Sequence, residues 1–316
     1  MDNKNINIFA RLRKDTDGKA ESTSYHYGAF RLLFVCSCIA AAILAVMRTL
    51  ALYFYYEEGL GLMESGAVLP KVTDLLAVIC VCISVLIPLI FFKNKKMPTA
   101  LPNPGPSVIS TGILCGLAMI GLFAFLMYRG VNPSVAGSGL VVWTIMLIFM
   151  IPAALYFFKT ANSKHPFSRA SAALGFAPIL WAAFFLISVF FERDTTLNNT
   201  IRVYTQMSLI SVMVFFLNEV RFLVCKAKPL LYCGMGSAAV IVIALSSIPK
   251  LICALLCSIE FSSDIVYGII ELFLLLAIVC RMALYTSKKS SFSVSEAEKI
   301  RLSMYEEDTD DENEEV

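Results

Sequence analysis

The sequence predicts an all-α fold: a polytopic integral membrane helix bundle of eight transmembrane helices, with both termini cytoplasmic. Three observations predict it. The 316 residues are 58% hydrophobic and 16% charged, whereas an ordinary soluble domain carries about 25% charged residues. Eight apolar stretches each reach the roughly 20 residues a helix needs to cross a bilayer. Twenty of the 26 Lys and Arg fall in the two ends and in alternate loops, and such an excess in short loops marks the cytoplasmic side.

Residues 1–30 read as a polar, basic cytoplasmic segment. Lys4, Arg11, Arg13, Lys14 and Lys19 mix with Asp2, Asp15, Asp17 and Glu21. The apolar run that follows is too long for a signal peptide and has no small-residue cleavage site, so it is predicted to stay as the first span. The membrane domain then covers 31–285, with spans near 31–55, 72–92, 107–128, 139–158, 170–191, 203–224, 232–257 and 265–285. Barrel strands would be shorter and would alternate.

Lys93, Lys95 and Lys96 follow span 2, Lys159, Lys164 and Arg169 follow span 4, and Arg221, Lys226 and Lys228 follow span 6. Arg281, Lys288, Lys289, Lys299 and Arg301 lie at the C-terminal end. The outer loops are short, near 56–70, 129–138, 192–202 and 258–264. Asn198-Asn199-Thr200 on that side fits the glycosylation acceptor pattern. Residues 286–316 read as a cytoplasmic tail. Ser293 and Glu296 resemble a capping box opening a short helix over 296–305. The end, EEDTDDENEEV, is acidic enough to be disordered.

Several chemistries are set aside. The two histidines, His26 and His165, fall in predicted cytoplasmic segments, which removes a membrane H-E-x-x-H metalloprotease and an intramembrane Ser–His pair. Gly234-Met235-Gly236-Ser237 lacks the lysine of a phosphate loop and reads as helix-packing material. Gly112 and Gly116 give span 3 a small-xxx-small face for close packing, within the bundle or in a homodimer. Cys36/Cys38 and Cys80/Cys82 are two apart, so neither pair shares a helix face, and Cys253 with Cys257 are two thiols, short of a zinc set. The ten cysteines read as small hydrophobes. No cofactor, metal or nucleic-acid partner is predicted. A lipid-transferring enzyme would need paired carboxylates or a metal motif at the inner interface, which neither Glu57-Glu58 nor Glu219 supplies. An intramembrane enzyme is therefore the third and least favoured reading, and spans 3, 4 and 5, without a buried ionisable group, argue against an internal repeat.

Charge inside the spans is the informative remainder, because each ionisable group there costs about 2.5–3.5 kcal/mol on insertion scales. Lys250 lies roughly 10 Å below the outer end of span 7 and Glu271 roughly 9 Å below the outer end of span 8. Matching depth on adjacent helices predicts a Lys250–Glu271 ion pair. Pro249 removes a backbone hydrogen bond and frees the carbonyl of Leu245, with Ser246 and Ser247 near enough to help satisfy the backbone. Arg48 and Asp74 have a bland reading, with Arg48 reaching the interface and Lys71–Asp74 a surface pair. The functional reading joins Arg48, Asp74, Lys250 and Glu271, with Gln206, into one outward-opening pocket. At the inner end Glu219 is expected to pair with Arg31 or Arg221. Trp181 is expected to pack internally.

Two functions compete. One is a carrier or binding protein for a small charged or zwitterionic solute, with Lys250 and Arg48 holding an anionic group and Glu271 and Asp74 a cationic group or proton. The alternative is a non-transport scaffold, sensor or partner subunit whose charges are structural pairs. Its basic loops and acidic tail would then contact a protein partner. The expected setting is the lipid bilayer of the cell membrane.

Overall fold

The computed structural model of the chain describes residues 27–57, 62–64, 66–95, 97–98, 101–129, 138–161, 169–191, 199–224, 226–256 and 263–287. Eight helices follow in order: α1 (Tyr27–Tyr55), α2 (Val68–Phe91), α3 (Pro106–Arg129), α4 (Ser138–Ala161), α5 (Arg169–Phe191), α6 (Thr200–Leu223), α7 (Pro229–Leu256) and α8 (Ser263–Tyr285). All eight are long and apolar enough to cross a membrane, so the fold is a polytopic membrane bundle. A two-residue antiparallel pairing, β1 (Tyr56–Glu57) with β2 (Leu62–Met63), closes the connection between α1 and α2. Residues 1–26, the tail from 288, Asn198 and both histidines lie outside the described residues.

The helices begin up to four residues before the apolar stretches. Helical hydrogen bonding runs past the hydrophobic run until a start signal defines the end. Pro106 and Pro229 open α3 and α7, at the position where a missing N–H costs nothing. Asn199 caps α6, its side chain accepting from the N–H groups of Ile201 and Arg202, which fills two of the helix's orphan donors.

Each helix from α3 to α8 packs against the next, and α3 packs against α8, closing a ring of six. Outside it, α1 and α2 lean on α7 and on each other. With an even number of crossings, α1 begins and α8 ends on one face, the termini face; the opposite one is the far face. Small residues set the closest approaches. A Cβ on Gly112 would meet the Phe157 carbonyl at 3.2 Å, and one on Gly116 the Phe158 ring at 2.6 Å. The small-xxx-small face of α3 is therefore used within the bundle, against α4. The buried positions of α2 are Pro70, Thr73, Ala77, Ser84 and Pro88, and Gly234 of α7 lies against the backbone at Ser84 and Val85.

Aromatic and sulfur-bearing side chains mark both ends of the ring interior. Toward the far face, Trp181 meets Phe185 of α5, which meets Tyr267 of α8 across the ring at 4.4 Å between centroids. Toward the termini face, Tyr156 and Phe157 of α4 meet Phe216 of α6 edge to face. Met119, Met146, Met150 and Ile278 are buried in the same core.

Candidate functional site

Charged side chains gather in two layers, one toward each face. In the far-face layer, Lys250 Nζ lies 3.2 Å from Glu271 Oε2, the pair that matching depth predicts. Lys250 Nζ also donates to Thr205 Oγ1 at 2.5 Å. It thus reaches both helices flanking α7, which turns it toward the ring interior. Both charged side chains are less than a tenth exposed. Ser246 Oγ donates to the same Glu271 oxygen at 2.8 Å, whereas Ser247 donates to the Ile243 carbonyl. Neither serine turns to Leu245, the carbonyl that Pro249 frees. Pro249 itself lies buried within a continuous α7.

Glu271 Oε1 is buried with no hydrogen-bond partner, and so are Ser208 Oγ of α6 and the indole nitrogen of Trp181. At 1.5 Å per residue these three residues stand about 21, 22 and 18 Å from the termini-face ends of their helices. Three unused polar atoms, one acceptor, one donor and one hydroxyl, therefore sit at similar heights on three ring helices.

Arg48 and Asp74 form a second pair, 3.3 Å apart, outside the ring. Arg48 does not reach the interface: its side chain is 2% exposed and its guanidinium stacks on Tyr204 at 3.5 Å. The Tyr204 hydroxyl donates to Asp74 Oδ1 at 2.5 Å, and Arg48 reaches the Thr200 carbonyl. The four charges expected in one pocket are thus two pairs, held on either side of α6 by its adjacent residues Tyr204 and Thr205. Gln206, the next residue, makes no side-chain hydrogen bond among the described residues.

The termini-face layer corrects an expectation. Glu219 pairs with neither Arg31 nor Arg221. Its Oε1 lies 3.4 Å from Arg281 Nε of α8. Arg31 is exposed on α1, outside the ring, and Arg221 donates back to Asn218 one turn away. Arg281, counted from sequence among the basic residues of the cytoplasmic end, sits one turn inside α8 and is 93% buried. Its Nη2 donates to Thr160 Oγ1 of α4 at 3.0 Å. The rings of Tyr156, Phe157 and Phe216 surround its guanidinium at 5.5–5.8 Å. Glu219 Oε2, Arg281 Nη1 and the Tyr156 hydroxyl are buried without hydrogen-bond partners. A cavity of about 30 Å³ adjoins them, lined by Glu219, Arg281, Thr160 and Tyr232 and walled by Leu101, Pro102 and Pro104. That is room for about one water. Next to it, the Tyr285 hydroxyl donates to the Pro98 carbonyl and ties the α2–α3 connection to α8.

Among the described residues no group of three or more His, Cys, Asp or Glu gathers to hold a metal. No family model, curated protein or solved structure matches the chain.

Thr205, Ser208 and Glu219 recur with Val212, Phe215 and Phe216 on one face of α6 at helical spacing. That stripe was the available signal for the site residues not singled out on α6. Arg281, Thr160 and Tyr156 had none, since each looks like an ordinary span-end or core residue.

Proposed function

We propose that the chain is a carrier or binding protein for a small charged or zwitterionic solute, taken up at the far-face end of the ring. The observation behind this reading is the Lys250–Glu271 pair, which is nearly excluded from water and keeps one carboxylate oxygen unused. A buried charge with spare hydrogen-bonding capacity is costly unless a partner or wet cavity serves it. A solute carrying an anionic and a cationic group would serve both partners, the first at Lys250 and the second at Glu271 Oε1. Ser208 and Trp181 add a hydroxyl and an N–H donor at similar heights. The half-exposed Asp74, backed by Arg48 and Tyr204, belongs to a separate pair on the other side of α6. The Lys and Arg asymmetry supports cytoplasmic termini and an outward far face, and the cell membrane is the setting we propose.

The test is uptake into liposomes reconstituted with the full chain, using a mixture of the standard amino acids as probe and mass spectrometry as readout. Accumulation that Lys250→Ala and Glu271→Ala each abolish is the expected result. Uptake unchanged in both variants would sink the reading. The completed hydrogen bonding of Arg48, Asp74 and Tyr204 favours a second reading, a scaffold, sensor or partner subunit with structural ion pairs. A stoichiometric protein partner retained through detergent purification, with no uptake of the mixture, would select it.

A further inference from the structure

We infer that Glu219 is a proton-binding site at the termini-face end of the ring, with the adjoining cavity as its water-filled access. As a proton site the assignment stands on local geometry; its use to couple proton movement to solute movement rests on the carrier reading.

Glu219 is 96% buried, and only one of its oxygens is engaged, by Arg281. Oε2 has no partner. The Tyr156 hydroxyl lies beside the carboxylate and is its available donor while Glu219 is ionised. A hydronium ion that reaches Oε2 gives up its proton and departs as water. The new O–H then donates to the Tyr156 hydroxyl oxygen. The contact between Tyr156 and Glu219 is thus kept in either protonation state, with donor and acceptor exchanged.

The usual obstacle is the cation left behind, and here it is met. When Glu219 is neutral, Arg281 keeps its hydrogen bond to Thr160 and the faces of three aromatic rings. A desolvated guanidinium is attracted to the negative face of an aromatic ring. Tyr232 of α7 faces the pair from the cavity wall, and Cys115 of α3 lies beside Arg281. Neither adds a charge while its O–H or S–H stays protonated, and Arg281 is the one cation facing Glu219 among the described residues. The other carboxylate of the ring differs. Lys250 and Ser246 both hold Glu271 through the same oxygen, and Lys250 has only Thr205 to fall back on. Protonating Glu271 would strand an ammonium; protonating Glu219 leaves a caged guanidinium.

The cavity supplies the route. Its wall of Leu101, Pro102 and Pro104 belongs to the α2–α3 connection on the termini face, so a water held there would lie between Glu219 and that side.

Infrared difference spectroscopy of the full chain in nanodiscs, between mildly acidic and mildly alkaline buffer, reads the C=O stretch of a protonated carboxyl directly. A pH-dependent band in the wild type is expected, lost in Glu219→Gln and kept in Glu271→Gln. Glu219→Asp is expected to restore it at a shifted frequency. No band in the wild type, or an unchanged band in Glu219→Gln or Glu219→Asp, overturns the assignment. A Glu219-dependent band without amino-acid uptake keeps the proton site and removes the carrier reading; uptake without the band does the reverse.

Discussion

Tyr204 and Thr205 are consecutive in α6, and each holds a different ion pair. Tyr204 donates to Asp74 and lies under Arg48; Thr205 accepts from Lys250. Consecutive helical residues point about 100° apart, so α6 separates a pair on the flank of the ring from a pair inside it. Tyr204→Phe removes a hydrogen bond to a charged group while keeping the stacking surface. It is expected to lower stability by about 1.5–3 kcal/mol. Tyr204→Ala removes both and is expected to cost distinctly more. Thermal unfolding in one detergent compares them; equal losses would mean the stacking contributes nothing.

Lys250 and Glu271 are expected to be energetically coupled rather than merely adjacent. Residues in contact within one network show interaction energies of about 0.5–3 kcal/mol. Lys250→Met, Glu271→Gln and the double variant complete the cycle. The double variant should be more stable than the sum of the single losses predicts. Strict additivity would show that the pair is geometric only.

Arg281 and Glu219 are expected to respond unequally to removal. Arg281→Met leaves a buried carboxylate without its cation, a loss of about 3–5 kcal/mol. Adding Glu219→Gln should recover most of it, and mildly acidic buffer should recover part of it in the single variant by neutralising Glu219. Glu219→Gln alone should cost less, because Thr160 and the aromatic cage still hold Arg281. Melting temperatures of the three variants at two pH values check this; an equal loss for both single variants contradicts it.

Close packing gives a prediction independent of charge. A Cβ on Gly175 would sit 2.6 Å from Val220 Cγ2, a stiff, buried side chain, whereas one on Gly121 meets nothing within 4 Å. Gly175→Ala is expected to destabilise by about 1–3 kcal/mol through overpacking. Gly121→Ala is expected to be neutral or to gain up to about 1 kcal/mol from helix propensity. Unfolding of both proteins under the same conditions decides it.

Much of the far-face layer was legible because depth is a sequence quantity. Counting residues from a span end put Lys250 and Glu271 at one level, and the short loop between α7 and α8 made them neighbours. Depth also grouped Arg48 and Asp74 with them, but depth carries no azimuth. Tyr204 and Thr205 show how one residue of rotation divides a layer into two sites. Ser208 and Trp181 carried no sign in the sequence that they would be left without partners, since that depends on what every surrounding helix presents.

Glu219 shows where residue counting stops. Arg31 and Arg221 were the expected partners because each lies at the same end of a span. Arg281 lay at that end too, but it read as a residue of the basic cytoplasmic side. By itself the sequence determined eight membrane-crossing helices, because length and hydrophobicity set the cost of exposing backbone and charge to lipid. Only the tertiary structure decided which cation turns inward. Closure of α3 onto α8 forms the ring interior, and Arg281 can fill that interior from α8 while Arg31, on a helix outside the ring, cannot.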